Sequence, residues 1–209
     1  MGVTKKCVNL IANESQLGYY RAITLGVLKM YRDNSLIPRE TIKMAALGAL
    51  IGRNRSYDDV ASEVRSFISR IVGPSLELMG TSIELLKLEG LIETVDQDGQ
   101  SQTELLQLSV AGLEELKEYL RSNLKAGGSE LNRLVIALKL RFIDILSEDE
   151  KREQLSAIKE MYINERKRLE DLKSQPSWTT GLLSESIELD LSIANKRIEW
   201  CDKKINTKK

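Results

Sequence analysis

The chain has no histidine, two cysteines, three prolines, few aromatics and no excess of either charge. Each shortage removes a class of chemistry. Without histidine there is no Ser-His or Cys-His nucleophile pair, no usual zinc or haem ligand, and no side chain whose ordinary pKa lies near neutrality. Cys7 and Cys201 stand at opposite ends of the 209 residues and form no spaced motif, which suits a reducing compartment better than a disulfide framework. Thirty-one basic residues cancel thirty-one acidic ones, so no overall positive field draws the chain to nucleic acid. No apolar run reaches the roughly 18 residues of a membrane span, and the first residues lack a signal-peptide core. A cytoplasmic protein without membrane contact is expected. Phosphate loops, nucleophile elbows, metal-ligand spacings and dinucleotide-binding glycine patterns are also missing. No catalytic residue, metal ligand or cofactor is therefore assigned, and the chain is not read as an enzyme. The carboxylates of Glu148, Asp149 and Glu150 read as the charged N-terminus of a helix.

What remains is helical spacing, and it divides the chain into three parts. Residues 1–38 are an N-terminal extension in which Leu17, Tyr20, Thr24, Val27 and Tyr31 form one stripe of an amphipathic helix over Glu14 to Arg32. Residues 39–126 hold three helices and a hairpin. The first helix runs from Arg39 to Ile51 and turns Ile42, Ala46, Ala49 and Leu50 inward, with Gly48 allowing a neighbour to approach closely. A second follows an N-cap at Ser56 and buries Val60, Val64, Phe67 and Ile71. A third starts at Ser75, after Gly73 and Pro74, and stops at Gly90. Two strands, Leu91 to Val95 and about Thr103 to Leu108, flank a turn at Asp98-Gly99. Ser109 then opens a fourth helix.

Gly127 and Gly128 mark a boundary, and residues 129–209 hold three more helices. Apolar residues recur at four-three spacing from Leu131 to Ile145 and at three-four spacing from Leu155 to Leu172, which predicts antiparallel packing. The last helix, Leu182 to Ile205, has one clean heptad stripe of Ile187, Leu191, Ala194, Ile198, Cys201 and Ile205. A second stripe, Leu182, Leu189, Ile193 and Trp200, lies nearly opposite. A helix apolar on two faces is wedged between layers, one its own chain and one a second copy. A homodimer is expected, with the six heptad residues as interface candidates. Trp178 and Trp200 are expected to pack in a core.

Three motifs now fall in order: "LKLEGLIE" at Leu86 to Glu93, "LSVAGLEEL" at Leu108 to Leu116, and "RIEWCDKKI" at Arg197 to Ile205. Together they resemble the PadR family of bacterial transcriptional regulators, in its AphA-like branch, over about residues 39 to 205. The resemblance implies a mainly α fold: a winged helix-turn-helix domain with a small β-hairpin wing, followed by a C-terminal helical dimerisation domain. It also implies double-stranded DNA as a partner and regulation of transcription as the function.

The sequence departs from that family where DNA would be read. PadR-like recognition helices resemble Ser-Pro-Gly-Thr-Leu-Tyr followed by a Lys-Arg pair, whereas this chain has "SLELMG" at Ser75 to Gly80 and "ELL" at Glu84 to Leu86. From Ser75 to Ser109 a single base, Lys87, faces seven acids. Residues 1–74 compensate with eleven bases against six acids. The candidate phosphate contacts are Lys43, Arg53, Arg55, Arg65, Arg70 and Lys87, and the candidate polar contacts are Ser75, Thr81, Gln97, Gln100 and Gln102. The alternative is a winged helix that has exchanged DNA for a protein partner, captured through Leu78, Leu85 and Leu88 on an acid-edged third helix.

Overall fold

A computed structural model of the chain describes residues 34–73, 83–95, 104–125 and 129–207. The expected helix over Glu14 to Arg32, Cys7, the start of the third helix at Ser75, the Asp98-Gly99 turn and the Gly127 boundary lie outside the described residues.

The described elements are α1 (Pro38–Ala49), β1 (Arg55–Ser56), α2 (Tyr57–Val72), α3 (Ile83–Leu88), β2 (Ile92–Val95) and β3 (Leu105–Leu108). After these come α4 (Val110–Arg121), α5 (Glu130–Phe142), a 3-10 turn (Ile143–Ile145), α6 (Glu148–Lys173) and α7 (Leu182–Asn206). The fold is mainly α, with one antiparallel sheet in the order β1-β3-β2. Helix, short strand, two helices and a two-stranded wing make a winged helix-turn-helix. The strand at Arg55–Ser56 is absent from the sequence reading, because two residues carry no period. It pairs Arg55 with Leu106 and Ser56 with Leu105, while β2 pairs with β3 from Ile92↔Leu108 to Val95↔Leu105.

Local chemistry sets the helix starts. Pro38 occupies the first turn of α1, where its missing N–H costs nothing, and the Ile37 N–H donates to Glu40 Oε2 at 2.9 Å. Four later helices begin at a serine whose hydroxyl accepts from the backbone three residues on: Ser56, Ser109, Ser129 and Ser147. Such caps contribute about 1 kcal/mol each. Ser109 does more, since its hydroxyl also donates to Gly90 O at 2.7 Å while its N–H donates to Leu91 O at 3.1 Å. Gly112 completes the joint: a Cβ there would sit 1.9 Å from Leu91 O. The "EGLI" and "LSVAG" motifs, some twenty residues apart in sequence, are thus two sides of one contact.

The main core joins Met44, Leu47 and Leu50 of α1, Val60 and Ile68 of α2, Leu86 of α3, Leu106 of β3 and Leu116 and Leu120 of α4. Leu134, Val135, Leu138 and Phe142 of α5 belong to it too. The helix that follows residues 126–128 is therefore the floor under the winged helix. Gly48 makes this possible, because a Cβ at that position would lie 2.2 Å from the Phe142 ring.

Beyond α5 the chain doubles back as an α6–α7 hairpin. Lys159 meets Asp202 at 2.6 Å, Arg166 Nη1 donates to Asn195 Oδ1 at 3.4 Å, and Lys173 meets Glu188 at 2.9 Å. Each step of seven residues forward on α6 is matched by seven back on α7, the register of an antiparallel coiled coil. The hairpin's apolar core is small: Ile158 and Cys201 pack with Ile136 of α5, flanked by Met161, Tyr162 and Ile205. The heptad stripe of α7 faces this seam, with Ile187, Ala194 and Cys201 buried and Leu191, Ile198 and Ile205 half-buried. The opposite stripe is open: Leu182 is 81% exposed and Leu189 62%. Neither tryptophan packs in a core, contrary to expectation. Trp178 in the hairpin connection is 66% exposed and Trp200, on the outer face of α7, 41%. No described helix is long and apolar enough to cross a membrane.

Candidate nucleic-acid interface

In a helix-turn-helix the third helix enters the major groove, while the helices before it and the wing grip the backbone. Here α1, α2, α3 and the β2–β3 hairpin supply that frame, with α3 anchored by buried Ile83 and Leu86. Its open side carries Glu84 and Leu88, both exposed, with Leu85 half-buried between them.

The six basic candidates divide by what already holds them. Lys43, on α1, is ion-paired with Glu89 just past α3, so it ties the first helix to the third. Lys87 meets Glu104 at 2.8 Å, and Thr94 Oγ1 donates to the same carboxylate at 2.9 Å. The Lys87 and Thr94 hydrogen bonds hold the Glu104 carboxyl below its ordinary pKa, against a slight opposing effect of burial. Lys87 therefore braces the base of the wing.

Arg55 is bonded to Glu63 of α2, which also takes Arg141 of α5, while Arg53 lies 3.8 Å away. Burial pushes the Glu63 carboxyl up, but the bonds from Arg55 and Arg141 outweigh it and leave the group below its ordinary pKa. Arg141 in turn rests over Phe67 at 4.6 Å and Phe142 at 5.1 Å, a cation–π sandwich. Glu63 thus latches the winged helix onto α5. A phosphate reaching Lys43, Arg55 or Lys87 must first displace a carboxylate.

Arg65 and Arg70 are different. Both are exposed on α2, and neither joins an ion pair among the described residues. Arg70 donates to Ser66 O at 2.8 Å, near the negative end of the helix. Of the candidates, this pair presents its charge most freely. Ser75, Thr81, Gln97, Gln100, Gln102 and Leu78 lie outside the described residues. Among the described residues no group of three or more metal-ligating side chains comes together.

Two elements of the site were missed by sequence reasoning. Glu63 gave no signal, because its partners come from three separate elements. Lys139 gave a faint one: it interrupts the apolar run "LVIALKLRF" at Leu134 to Phe142, and its side chain is buried at 1% exposure.

Residues 31–204 match the model of a family described as "Putative AphA-like transcriptional regulator". The chain belongs to the AphA-like family. Its members are regulators of transcription and not enzymes. No curated protein sequence matches the chain. Among solved structures it is similar to smu.1604c from Streptococcus mutans UA159, at 19% identity over 79% of this chain and 98% of that one, with a TM-score of 0.33. It is also similar to Bacillus subtilis PadR in complex with operator DNA, at 19% identity, 78% and 96% coverage and a TM-score of 0.32. The same regulator in complex with p-coumaric acid gives 17% identity, 79% and 96% coverage, and 0.32. Likenesses this distant carry no argument about function. The AphA-like assignment rests on the family match, which spans the winged helix and most of the hairpin.

Proposed function

We propose that this AphA-like protein is a cytoplasmic, dimeric, DNA-binding regulator of transcription. The observation that carries the reading is the family match over residues 31–204, laid on a helix-turn-helix and wing whose second helix offers Arg65 and Arg70 to a phosphate backbone. In this reading residues 39–126 contact DNA and residues 129–209 hold two copies together, following an N-terminal extension over residues 1–38. The Ile187–Ile205 stripe of α7 builds the hairpin, and the outer stripe of Leu182, Leu189, Ile193 and Trp200 meets the second copy. Arg65 and Arg70 supply much of the charge contact, because the other described candidates are shared with carboxylates.

A gel-shift titration on DNA flanking the chain's own gene tests this. Binding should weaken steeply with salt, and Arg65→Glu with Arg70→Glu should reduce affinity by at least about tenfold at low salt, where phosphate contacts count most. No shift at low salt for the unaltered protein would rule the reading out for that DNA.

One observation favours a second reading. Leu88 is 83% exposed beside a Lys87 already neutralised by Glu104 and a half-buried Leu85, a surface suited to a protein partner. Leu88→Lys should then abolish capture of that partner while sparing any DNA shift.

A further inference from the structure

Lys139 is the one described lysine whose side chain is fully buried. Its ammonium donates to Leu120 O at the end of α4, to Ser122 O at 2.7 Å and to Gln154 Oε1 of α6 at 2.8 Å. All three acceptors are neutral, and no carboxylate approaches it among the described residues. Charged groups on the surrounding elements are engaged with one another, with the backbone or, as Glu115 of α4 is, with the Tyr119 hydroxyl. Arg121 of α4 is paired with Glu118 and with Glu150 of α6. Lys151 of α6 is paired with Asp144 of the 3-10 turn and with Glu148. Glu40 of α1 accepts from the Ile37 N–H. Lys125, in the segment after α4, offers only like charge.

A buried cation normally has a partner. This one has three backbone and amide oxygens, drawn from the last helix of the winged domain and the first helix of the hairpin. We propose that Lys139 is a proton-sensitive joint: its ammonium ties the end of α4 to α6 through three neutral oxygens, and loss of one proton loosens that tie.

The chemistry follows from donor counting. An ammonium has three N–H groups for three oxygens, and each bond is charge-assisted. A neutral amine has two N–H groups and a lone pair, so one oxygen loses its donor and faces electron density instead. Burial lowers the pKa of Lys139 from 10.5 to about 7, which brings the change into the physiological range. The sign for the whole fold is separate. A base with a depressed folded pKa carries a desolvation penalty below pH 7 that is relieved as pH rises towards 10.5, so global stability climbs across that window while the joint itself slackens. Around it the segment from Ser122 to Lys125 is held by Ser122, whose hydroxyl donates to Tyr119 O at 2.6 Å, by Asn132 Nδ2 to Lys125 O at 2.6 Å, by a bridge from Asn123 to Ser35 and by Leu124, which packs against both apolar clusters. Of its ties to α6, the Lys139 bonds are the ones a proton can weaken. A looser joint lets the end of α4 adjust against α6, with the Arg121–Glu150 pair still joining them. In a dimer that alters the spacing of the two third helices, a last step that rests on the DNA-binding reading.

The joint can be tested without DNA. In the full chain carrying carbon-13 at lysine Cε, the Lys139 resonance should titrate with a midpoint near 7. Hydrogen exchange at Ser122, whose N–H donates to Tyr119 O at 3.2 Å, corrected for intrinsic rate, should speed up by about tenfold across the same midpoint, the loss of about one buried hydrogen bond. Lys139→Arg, which stays charged, should hold the slow exchange throughout; Lys139→Met should give fast exchange with no pH dependence. A Lys139 midpoint above 9, or exchange that ignores pH in the unaltered protein, overturns the proposal even if Lys139→Met does not fold. An operator affinity that ignores pH beside a joint that titrates would overturn the spacing step alone, whereas no DNA shift at all would count against the DNA-binding reading.

Discussion

The winged helix and the α6–α7 hairpin are both helical, yet they are held together by different means. The first is built round a continuous apolar core to which α1, α2, α3, α4, the sheet and α5 all contribute. The second buries few apolar side chains of its own and is kept in step by cross-helix polar pairs every seven residues. Exposed pairs of that kind set register and add little stability. The contrast teaches where each region is covered: the winged helix buries its apolar faces within one chain, whereas the hairpin leaves Leu182 and Leu189 of α7 open, the face that the proposed dimer would cover.

The largest effect should come from the apolar core. Leu138→Ala removes a fully buried side chain from the floor that α5 provides, and should cost roughly 2–5 kcal/mol. Urea denaturation followed by circular dichroism measures it. Because α5 touches both regions, winged helix and hairpin should unfold in one transition; two transitions would show that they are independent. Next comes the open face. Leu189→Glu with Trp200→Glu should weaken self-association by at least tenfold, since each side chain contributes about 1.5–3 kcal/mol when buried, while leaving the monomer's helical spectrum intact. Sedimentation or light scattering across concentration reads this out, and an unchanged dimer would move the interface elsewhere. The smallest effect belongs to the latch. The Glu63 carboxyl has a lowered pKa in the folded chain, so its contribution is present above the ordinary value of 4.5 and is lost as pH falls below it. Acid titration of stability should therefore show a modest loss that Glu63→Gln removes; an identical acid limb in both proteins would mean that the latch contributes nothing.

The sequence made the elements legible where many residues repeat one spacing. The stripes of α1, α2, α5, α6 and α7, the serine caps and the wing strands all follow from local pattern, and the three motifs pointed to the family that the match over residues 31–204 shows. What stayed hidden depends on residues far apart in the chain. The charge of Lys43 was visible, but not Glu89, 46 residues away, which occupies it. Arg55 and Arg53 read as phosphate contacts because Arg141, which shares Glu63 with them, lies in another helix altogether. Trp200 sits on the less regular of α7's two stripes, and periodicity alone does not say which stripe meets its own chain. Lys139 gave only the faint signal of a base within an apolar run, because burial of a polar group is a property of the neighbours and not of the residue.

The seven-residue step shared by α6 and α7 bears on how this chain tolerates change in length. A single inserted residue in either helix rotates everything beyond it by about 100°, swinging Cys201 or Ile187 out of the seam and separating Lys173 from Glu188. Seven residues added to both helices would restore every pairing and extend the hairpin by about 10.5 Å. The hairpin can thus be resized only in whole notches, like a ratchet, with the winged helix left undisturbed.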